Sequence, residues 1–157
     1  MNIIKAQREV FDAINGGNRV CAFTAKDDRL FVTPDGFVGY VFPLHMVNFN
    51  TDKVAMLEKP LFPLEEVVQE ENELKITQEF RSEFPFGKRT GRMFRKLEAP
   101  GKTVYINDVF LRNFQAPRLW QEKDDCLMRI VVTEGRDNVP VGVILPIRMY
   151  SPKAGDI

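Results

Sequence analysis

Few residues in this chain have the types and spacing that a catalytic or metal site requires. His45 is the only histidine, and it lies in an irregular segment beside Pro43. Because no serine or cysteine in a strained turn marks a partner nucleophile, the pattern predicts a surface or structural histidine rather than a catalytic triad. Cys21 and Cys126 lie inside apolar runs, which is typical of small buried thiols in a reducing compartment. Two isolated cysteines and one histidine supply no ligand pair at zinc spacing, so no metal or cofactor is predicted.

Two glycine–lysine segments resemble the end of a phosphate-binding loop. The first, Gly101-Lys102-Thr103, lacks the glycine required five residues earlier, where Lys96 stands, and it is followed by a strand pattern instead of a helix. The second, Gly87-Lys88-Arg89-Thr90, fails the same test. Acidic pairs such as Glu65 and Glu66 are adjacent, so their side chains diverge and indicate a solvated face rather than an acid–base pair. We therefore predict that the protein is not an enzyme.

An equal number of basic and acidic residues limits the classes of partner. The 157 residues include 22 Lys and Arg and 22 Asp and Glu, so the formal net charge is zero. This balance argues against a strongly basic nucleic-acid-binding protein and against an acidic mimic of nucleic acid. Apolar residues make up 44% of the chain, which suits one packed domain. No apolar run approaches the ~20 residues of a membrane span, and charges interrupt the N-terminal segment, so a cytoplasmic protein without a membrane partner is predicted.

The first part of the chain has a helical pattern and then a strand pattern. Residues 2–15 carry apolar side chains at helical spacing, and Asn15-Gly16-Gly17 ends the predicted helix. Residues 19–42 predict a meander of three antiparallel strands joined by short turns. Residues 43–72 contain three prolines and have no clear periodicity. Within them, residues 64–71 are consistent with one or two helical turns or with an exposed acidic connection.

The second part of the chain predicts mostly strands around a short second helix. Asn107 is a predicted N-cap and Pro117 a predicted stop, which together favour a helix over residues 108–115. The alternating pattern predicts a strand over residues 73–81, and the turns that follow predict further strands over residues 92–97, 102–106, 126–133 and 139–148. Residues 150–157 are predicted to form a loose tail.

Charge is distributed unevenly in the middle of the chain. Six glutamates against Lys75 give a net charge of −5 over residues 65–79, and seven basic residues against two glutamates give +5 over residues 81–102. The basic stretch is interleaved with aromatic residues and could form a hairpin that contacts phosphates through Lys88, Arg89, Arg92 and Arg95. The alternative is that the two stretches neutralise each other across a shared surface.

The end of the chain resembles a known family. Its order of strand, helix and two strands, with Leu145-Pro146-Ile147-Arg148-Met149 in the last strand, resembles the closing half-domain of the bacterial DNA polymerase sliding clamp, the ring-shaped processivity factor. The resemblance implies an α+β fold in which two helices lie on one face of a mostly antiparallel sheet. It implies a single clamp-like domain over residues 1–149, with half-domains of about 1–60 and 73–149 related by a pseudo-twofold. A clamp ring contains six such domains, so this chain would either form a homo-oligomer or act as a lone module.

The resemblance also implies a function and its residues. The protein would be a non-catalytic accessory of DNA replication or repair that binds DNA non-specifically, a replication protein, or both. Lys5 and Arg8 on the first helix and Arg112 on the second would approach phosphates, and residues 145–149 would help to form an apolar pocket for a peptide of a replication protein. The alternatives from the residues alone are a solvated helix face and an ordinary core strand.

Two other functions stay open on the sequence. The first is an interaction protein of a phage or mobile element that binds and inhibits a host protein without nucleic acid. The second is an enzyme whose site carries no recognisable motif.

Overall fold

The structure is a computed structural model that describes residues 1–82, 92–125 and 127–147. One α-helix, α1 (Ile3–Asn15), precedes the strands, and it is the only α-helix among the described residues. The strands in chain order are β1 (Cys21–Ala25), β2 (Arg29–Thr33), β3 (Val38–Pro43), β4 (Ala55–Met56), β5 (Glu73–Ser82), β6 (Arg92–Ala99), β7 (Lys102–Asn107), β8 (Arg118–Trp120), β9 (Ile130–Glu134) and β10 (Val139–Ile144). Short 3₁₀ turns occupy Leu44–Met46, Thr51–Lys53, Glu65–Val67, Glu70–Asn72 and Asp108–Leu111.

The predicted fold class is wrong in its helices. The expected second helix over residues 108–115 is a single 3₁₀ turn, Asp108–Leu111, so two helices do not lie on one face of the sheet. Its cap forms as expected, since Asn107 Oδ1 accepts from the backbone N–H of Val109 at 3.1 Å. A helix this short does not repay the entropy of its first turn. The carbonyl of Asn113 accepts from the backbone N–H of Asn2 at 2.7 Å, and no helical donor competes for it because residue 117 is a proline. The paired helices that motivated two clamp-like half-domains are therefore not formed.

The first helix and the meander are confirmed, for the reasons visible in the sequence. Asn2 Oδ1 caps α1 by accepting from the backbone N–H of Lys5 at 3.1 Å. The helix buries Ala6, Val10 and Ala13 on one face. It ends before Gly17, whose φ of +78° suits a residue without a Cβ.

The ten strands form one sheet in the order β4-β1-β2-β3-β10-β9-β8-β5-β6-β7. Every pairing is antiparallel except that of β4 with β1. Beyond β10, the N–H of Leu145 binds Phe37 O at 2.9 Å and the N–H of Ile147 binds Tyr105 O at 2.8 Å. Through these bonds the segment after β10 reaches β7, which forms the edge of the sheet opposite to β4.

Successive side chains of a strand point to opposite faces of the sheet, and the central strands have buried side chains on both faces. On one face, Ala22, Val32 and Tyr40 pack in a cluster with α1, β6 and β7. On the other, Phe23, Phe31 and Val41 pack in a second cluster with Trp120 and Leu64. We call these the helix face and the strap face.

The strap is the segment of residues 57–68, which the sequence left without a clear assignment. It follows β4, contains Pro60 and Pro63, and ends in the 3₁₀ turn Glu65–Val67. Its contacts to the strap-face cluster come from Leu57, Phe62, Leu64, Val67 and Val68. In the part of the chain that the structure describes, no helix could cross a bilayer.

Candidate functional site

A cavity of about 520 Å³ lies between the strap and the end of β1. The β1 side contributes Phe23, Thr24, Ala25 and Lys26, and the strap contributes residues 60–66. Most of these side chains are apolar, and the charged ones belong to Lys26, Glu65 and Glu66. Cavities of this size and lining are typical of binding sites for apolar groups.

Three phenylalanines organise the inner part of this strap cavity. The rings of Phe23 and Phe31 stack with centroids 4.7 Å apart, and the ring of Phe62 lies edge-on to both at 5.5 Å. Edge-on and offset arrangements of this kind are the favoured aromatic contacts. Phe23 and Phe31 are buried, but Phe62 is only half-buried because it faces the cavity. The strap thus presents an aromatic ring that is held in place and still accessible.

The guanidinium of a buried arginine packs on the ring of Phe62. The guanidinium of Arg129 lies 4.7 Å from the Phe62 ring centroid, and Arg129 is only 7% exposed. Its Nε lies 3.3 Å from Asp125 Oδ2, so the buried charge is compensated. Sequence reasoning missed this residue because the contact joins positions 67 residues apart, which no local pattern reveals.

The cavity remains open because β4 is too short to continue along β1. Its backbone follows β1 for two bonds, from the N–H of Ala55 to Val20 O and from the N–H of Leu57 to Ala22 O, both at 2.8 Å. The strap then leaves the strand edge and crosses to the strap face. Pro60 and Pro63 favour this departure because they cannot donate hydrogen bonds to a neighbouring strand.

The strap is fastened at its far end by an ion pair. Arg29 Nη2 lies 2.8 Å from Glu65 Oε1, and Arg29 also donates to the carbonyls of Lys26 and Pro140 at 3.0 and 2.9 Å. This end of the strap is therefore tied to β2 and β10. Leu61, near the middle of the strap, is 58% exposed at the cavity mouth.

The residues predicted to contact phosphates differ in whether they are exposed or paired with an acidic side chain. Lys5 and Arg8 are exposed on α1, beside the exposed apolar side chains of Ile4 and Phe11. Arg112 is committed to the same helix, because its Nε donates to Glu9 Oε1 at 2.8 Å. The structure therefore pairs Arg112 with an acidic residue of α1, and the helix on which it was expected is not formed.

The same glutamate is the centre of a polar network beneath α1. Glu9 accepts hydrogen bonds from the phenol of Tyr40 and from Asn113 Nδ2, the latter at 2.8 Å. Burial, together with the hydrogen bond to Glu9, raises the pKa of Tyr40 well above its ordinary value. The phenol therefore stays protonated, and the network docks the helix on β3.

The basic hairpin lies largely outside the described residues. Lys88 and Arg89 fall in residues 83–91, and the side chain of Arg92 is likewise not described. Arg95 Nε lies 2.5 Å from Asp108 Oδ1, so this cation is paired with an aspartate of the next 3₁₀ turn. Lys96 pairs similarly with Glu98 at 3.1 Å.

The predicted peptide pocket at the C-terminal strand is described only in part. Leu145, Pro146 and Ile147 are half-buried. The N–H of Leu145 binds Phe37 O, just before β3, and the N–H of Ile147 binds Tyr105 O in β7. Arg148 and Met149 lie outside the described residues, as do the predicted tail 150–157 and Cys126. The cavity that the structure presents for apolar groups is instead at the strap.

The remaining candidates for chemistry lie apart from one another. His45 is exposed in the 3₁₀ turn Leu44–Met46, as predicted for a surface histidine, and Cys21 is a half-buried free thiol at the start of β1. Among residues 1–82, 92–125 and 127–147, no group of His, Cys, Asp and Glu side chains is arranged to hold a metal ion.

Comparisons with known proteins found no match to this chain, neither among family models nor among curated proteins nor among solved structures, so none of them identifies a sliding-clamp family.

Proposed function

We propose that this protein is a non-catalytic binding module that holds a short apolar segment of a partner protein in the strap cavity. The observation that carries the proposal is the cavity of about 520 Å³ in which Phe62 and Leu61 remain accessible above a buried aromatic base. Apolar and aromatic pockets of this type are the usual anchor points of protein interfaces. Of the functions considered from the sequence, this proposal is closest to the interaction protein that binds another protein without nucleic acid.

The lining favours a protein segment over a small polar metabolite. A metabolite site needs several polar groups that converge on the ligand. Here Lys26 and Glu66 are exposed at the rim, and Glu65 is already paired with Arg29. Binding in the strap cavity therefore depends on apolar burial, which suits the side chains of a peptide.

DNA binding, the other expected activity, receives less support from the charges. Arg112, Arg95 and Lys96 each have an acidic partner within about 3 Å. Lys5 and Arg8 remain on α1 as cations for which the structure records no acidic partner, but they flank Ile4 and Phe11, which are 76% and 53% exposed. A helix that presents large apolar side chains beside its cations is not arranged primarily for phosphates.

The proposal is tested by selecting ligands from a phage-displayed library of random dodecapeptides on the immobilised wild-type protein. We expect enriched peptides with apolar or aromatic residues, whose affinity for Leu61→Asp, measured by calorimetry, falls by roughly tenfold or more. The matched control is Ile4→Asp, which places the same charge at an exposed apolar position outside the cavity. It should bind like the wild type.

Two results would reject the strap cavity as the binding site. One is the absence of any enriched peptide, and the other is a loss of affinity in Ile4→Asp with full binding in Leu61→Asp. Titration with a short DNA duplex provides the competing outcome. Binding that weakens steeply with salt and is lost in a variant combining Lys5→Ala and Arg8→Ala would assign the function to DNA instead.

A further inference from the structure

The backbone of β1 faces the strap cavity with its hydrogen-bonding groups. The carbonyls of Val20 and Ala22 point toward β4, because they accept from the N–H groups of Ala55 and Leu57. Main-chain groups of alternate residues in a strand point to the same side. The N–H and C=O of Thr24 therefore also point to the β4 side, away from β2.

Among the described residues, no strand occupies the position beside Thr24. β4 ends at Met56, and after Leu57 the described chain makes no backbone hydrogen bond to Thr24. β1 ends at Ala25, and the carbonyl of Lys26 in the following turn accepts from Arg29 Nε at 3.0 Å. The free edge of β1 is therefore short and centred on Thr24, whose side chain is exposed.

This free edge borders the strap cavity. Thr24 lines the cavity together with Phe23 and Ala25, whose side chains belong to the strap face. In neighbouring strands, residues opposite each other point to the same face of the sheet. Leu57 already lies opposite Phe23, so a residue added opposite Ala25 would direct its side chain into the cavity, toward Phe62.

We propose that the partner segment binds as a short added β-strand on the free edge of β1, with its backbone paired to Thr24 and an apolar side chain, opposite Ala25, in the strap cavity. This inference rests on the proposed function and specifies its chemistry. The ligand is a short extended peptide with an apolar residue next to the one that pairs with Thr24, recognised through its main chain as well as its side chains. Strand addition to an exposed edge is a recurring mode of peptide recognition.

A proline substitution separates the main-chain contact from the side-chain contact. Thr24→Pro removes the N–H that points to the free edge, and proline is tolerated where no ladder bond is lost. We expect this variant to fold like the wild type by thermal denaturation and to bind a selected dodecapeptide roughly tenfold or more weakly. Thr24→Val is the matched control, since it retains the N–H and changes only the side chain, and it should bind within about twofold of the wild type.

A second measurement keeps the test independent of the folding of Thr24→Pro. Single N-methyl groups are introduced in turn along the selected dodecapeptide, and each version is titrated into the wild-type protein. Strand addition requires that affinity fall sharply at one position of the bound segment, because one peptide N–H donates to the carbonyl of Thr24 and the N–H groups on either side of it point away from β1. Equal affinity of Thr24→Pro and wild type, or an N-methyl scan in which no single position is sensitive, overturns strand addition.

The outcomes distinguish this inference from the function on which it rests. If Leu61→Asp abolishes peptide binding while Thr24→Pro does not, the strap cavity binds a peptide but β1 does not pair with it. A second copy of this chain is the other possible occupant of the edge. A concentration-dependent dimer in sedimentation that Thr24→Pro converts to monomer would assign the edge to self-association and also overturn the inference.

Discussion

The two faces of the central sheet are covered in different ways. On the helix face, α1 covers the strands with a periodic stripe of Ala6, Val10 and Ala13, each at most 8% exposed. On the strap face, the cover is an extended segment interrupted by prolines, and it encloses a cavity of about 520 Å³. A helix repeats its contacts every turn and so fills the space above a sheet, whereas an irregular segment has no repeat with which to fill it. Binding surface is therefore expected where the cover is irregular.

The fastening of the two covers also differs. α1 is held to β3 by hydrogen bonds among Glu9, Tyr40 and Asn113. The strap is held at two points, by Arg29 at Glu65 and by Arg129 beside Phe62. A helix packed along its length by Ala6, Val10 and Ala13 and a segment held at two points should respond differently to the same substitution, and the following predictions measure that difference.

The largest effect is expected from removing an aromatic ring on each face. Phe42 is fully buried on the helix face, so Phe42→Ala should lower the free energy of unfolding by about 3–5 kcal/mol. Phe62 is half-buried beside the cavity, so Phe62→Ala should lower it by only about 1–2 kcal/mol while abolishing peptide binding. Urea denaturation of both variants measures the two losses. Equal losses would mean that the strap is packed as closely as the helix.

Replacing one glycine by alanine on each face allows the same comparison, because the change adds one methyl group. A Cβ at Gly142 would lie 2.5 Å from Phe114 Cζ and 2.7 Å from Gly39 O, and the backbone oxygen cannot move away. A Cβ at Gly39 would meet only the ring of Phe31, at 2.3 Å, on the strap face. We expect Gly142→Ala to destabilise the protein by about 3 kcal/mol and Gly39→Ala by about 1 kcal/mol, as measured by thermal denaturation.

The opposite order in the glycine pair would contradict the difference between the faces. It would show that Phe31 has less room to shift than Phe114, despite the neighbouring cavity. The peptide-binding assay supplies a further readout, because displacement of Phe31 disturbs its stack with Phe23 and should weaken binding in Gly39→Ala alone.

The smallest effect concerns the ion pair where β5 meets β8. Hydrogen bonds from Arg118, whose Nη2 lies 2.5 Å from Glu73 Oε2, lower the pKa of Glu73 below its ordinary 4.5. Since the pKa is depressed in the folded state, the pair stabilises the protein above pH 4.5, and this contribution is lost as the pH falls through the folded value. Wild type should therefore be more stable than Glu73→Gln at neutral pH. Denaturant titrations across the acid range should show the two converging, and a constant difference would mean that Glu73 acts through packing.

Local signals in the sequence predicted the elements that need little from the rest of the chain. The spacing of Ala6, Val10 and Ala13 and the stop at Asn15-Gly16-Gly17 are sufficient to define α1, and short turns define the meander of β1–β3. The hydrogen bonds that decide these elements lie within a few residues. The alternating patterns of β5 and β7 were informative for the same reason.

Local signals were insufficient in two segments of the second half of the chain. Residues 108–115 contain a capping Asn107, but only Asp108–Leu111 form a 3₁₀ turn, and Asn113 is held by Asn2 and Glu9, more than a hundred positions away. The predicted strand over 126–133 begins only at Ile130, after Met128 adopts a φ of +55°. No local pattern reveals the distant partners of Asn113.

The sequence by itself determined the helix, the meander and the absence of a recognisable catalytic motif, because each depends on residue types at short spacing. Only the tertiary structure decided that Pro60 and Pro63 lie in a strap, that Arg129 stands behind Phe62, and that the edge of β1 is free at Thr24. A cavity is the space left between segments that are distant in the chain. Its position follows from how those segments pack against the sheet, and that packing balances apolar burial against chain entropy over the whole domain.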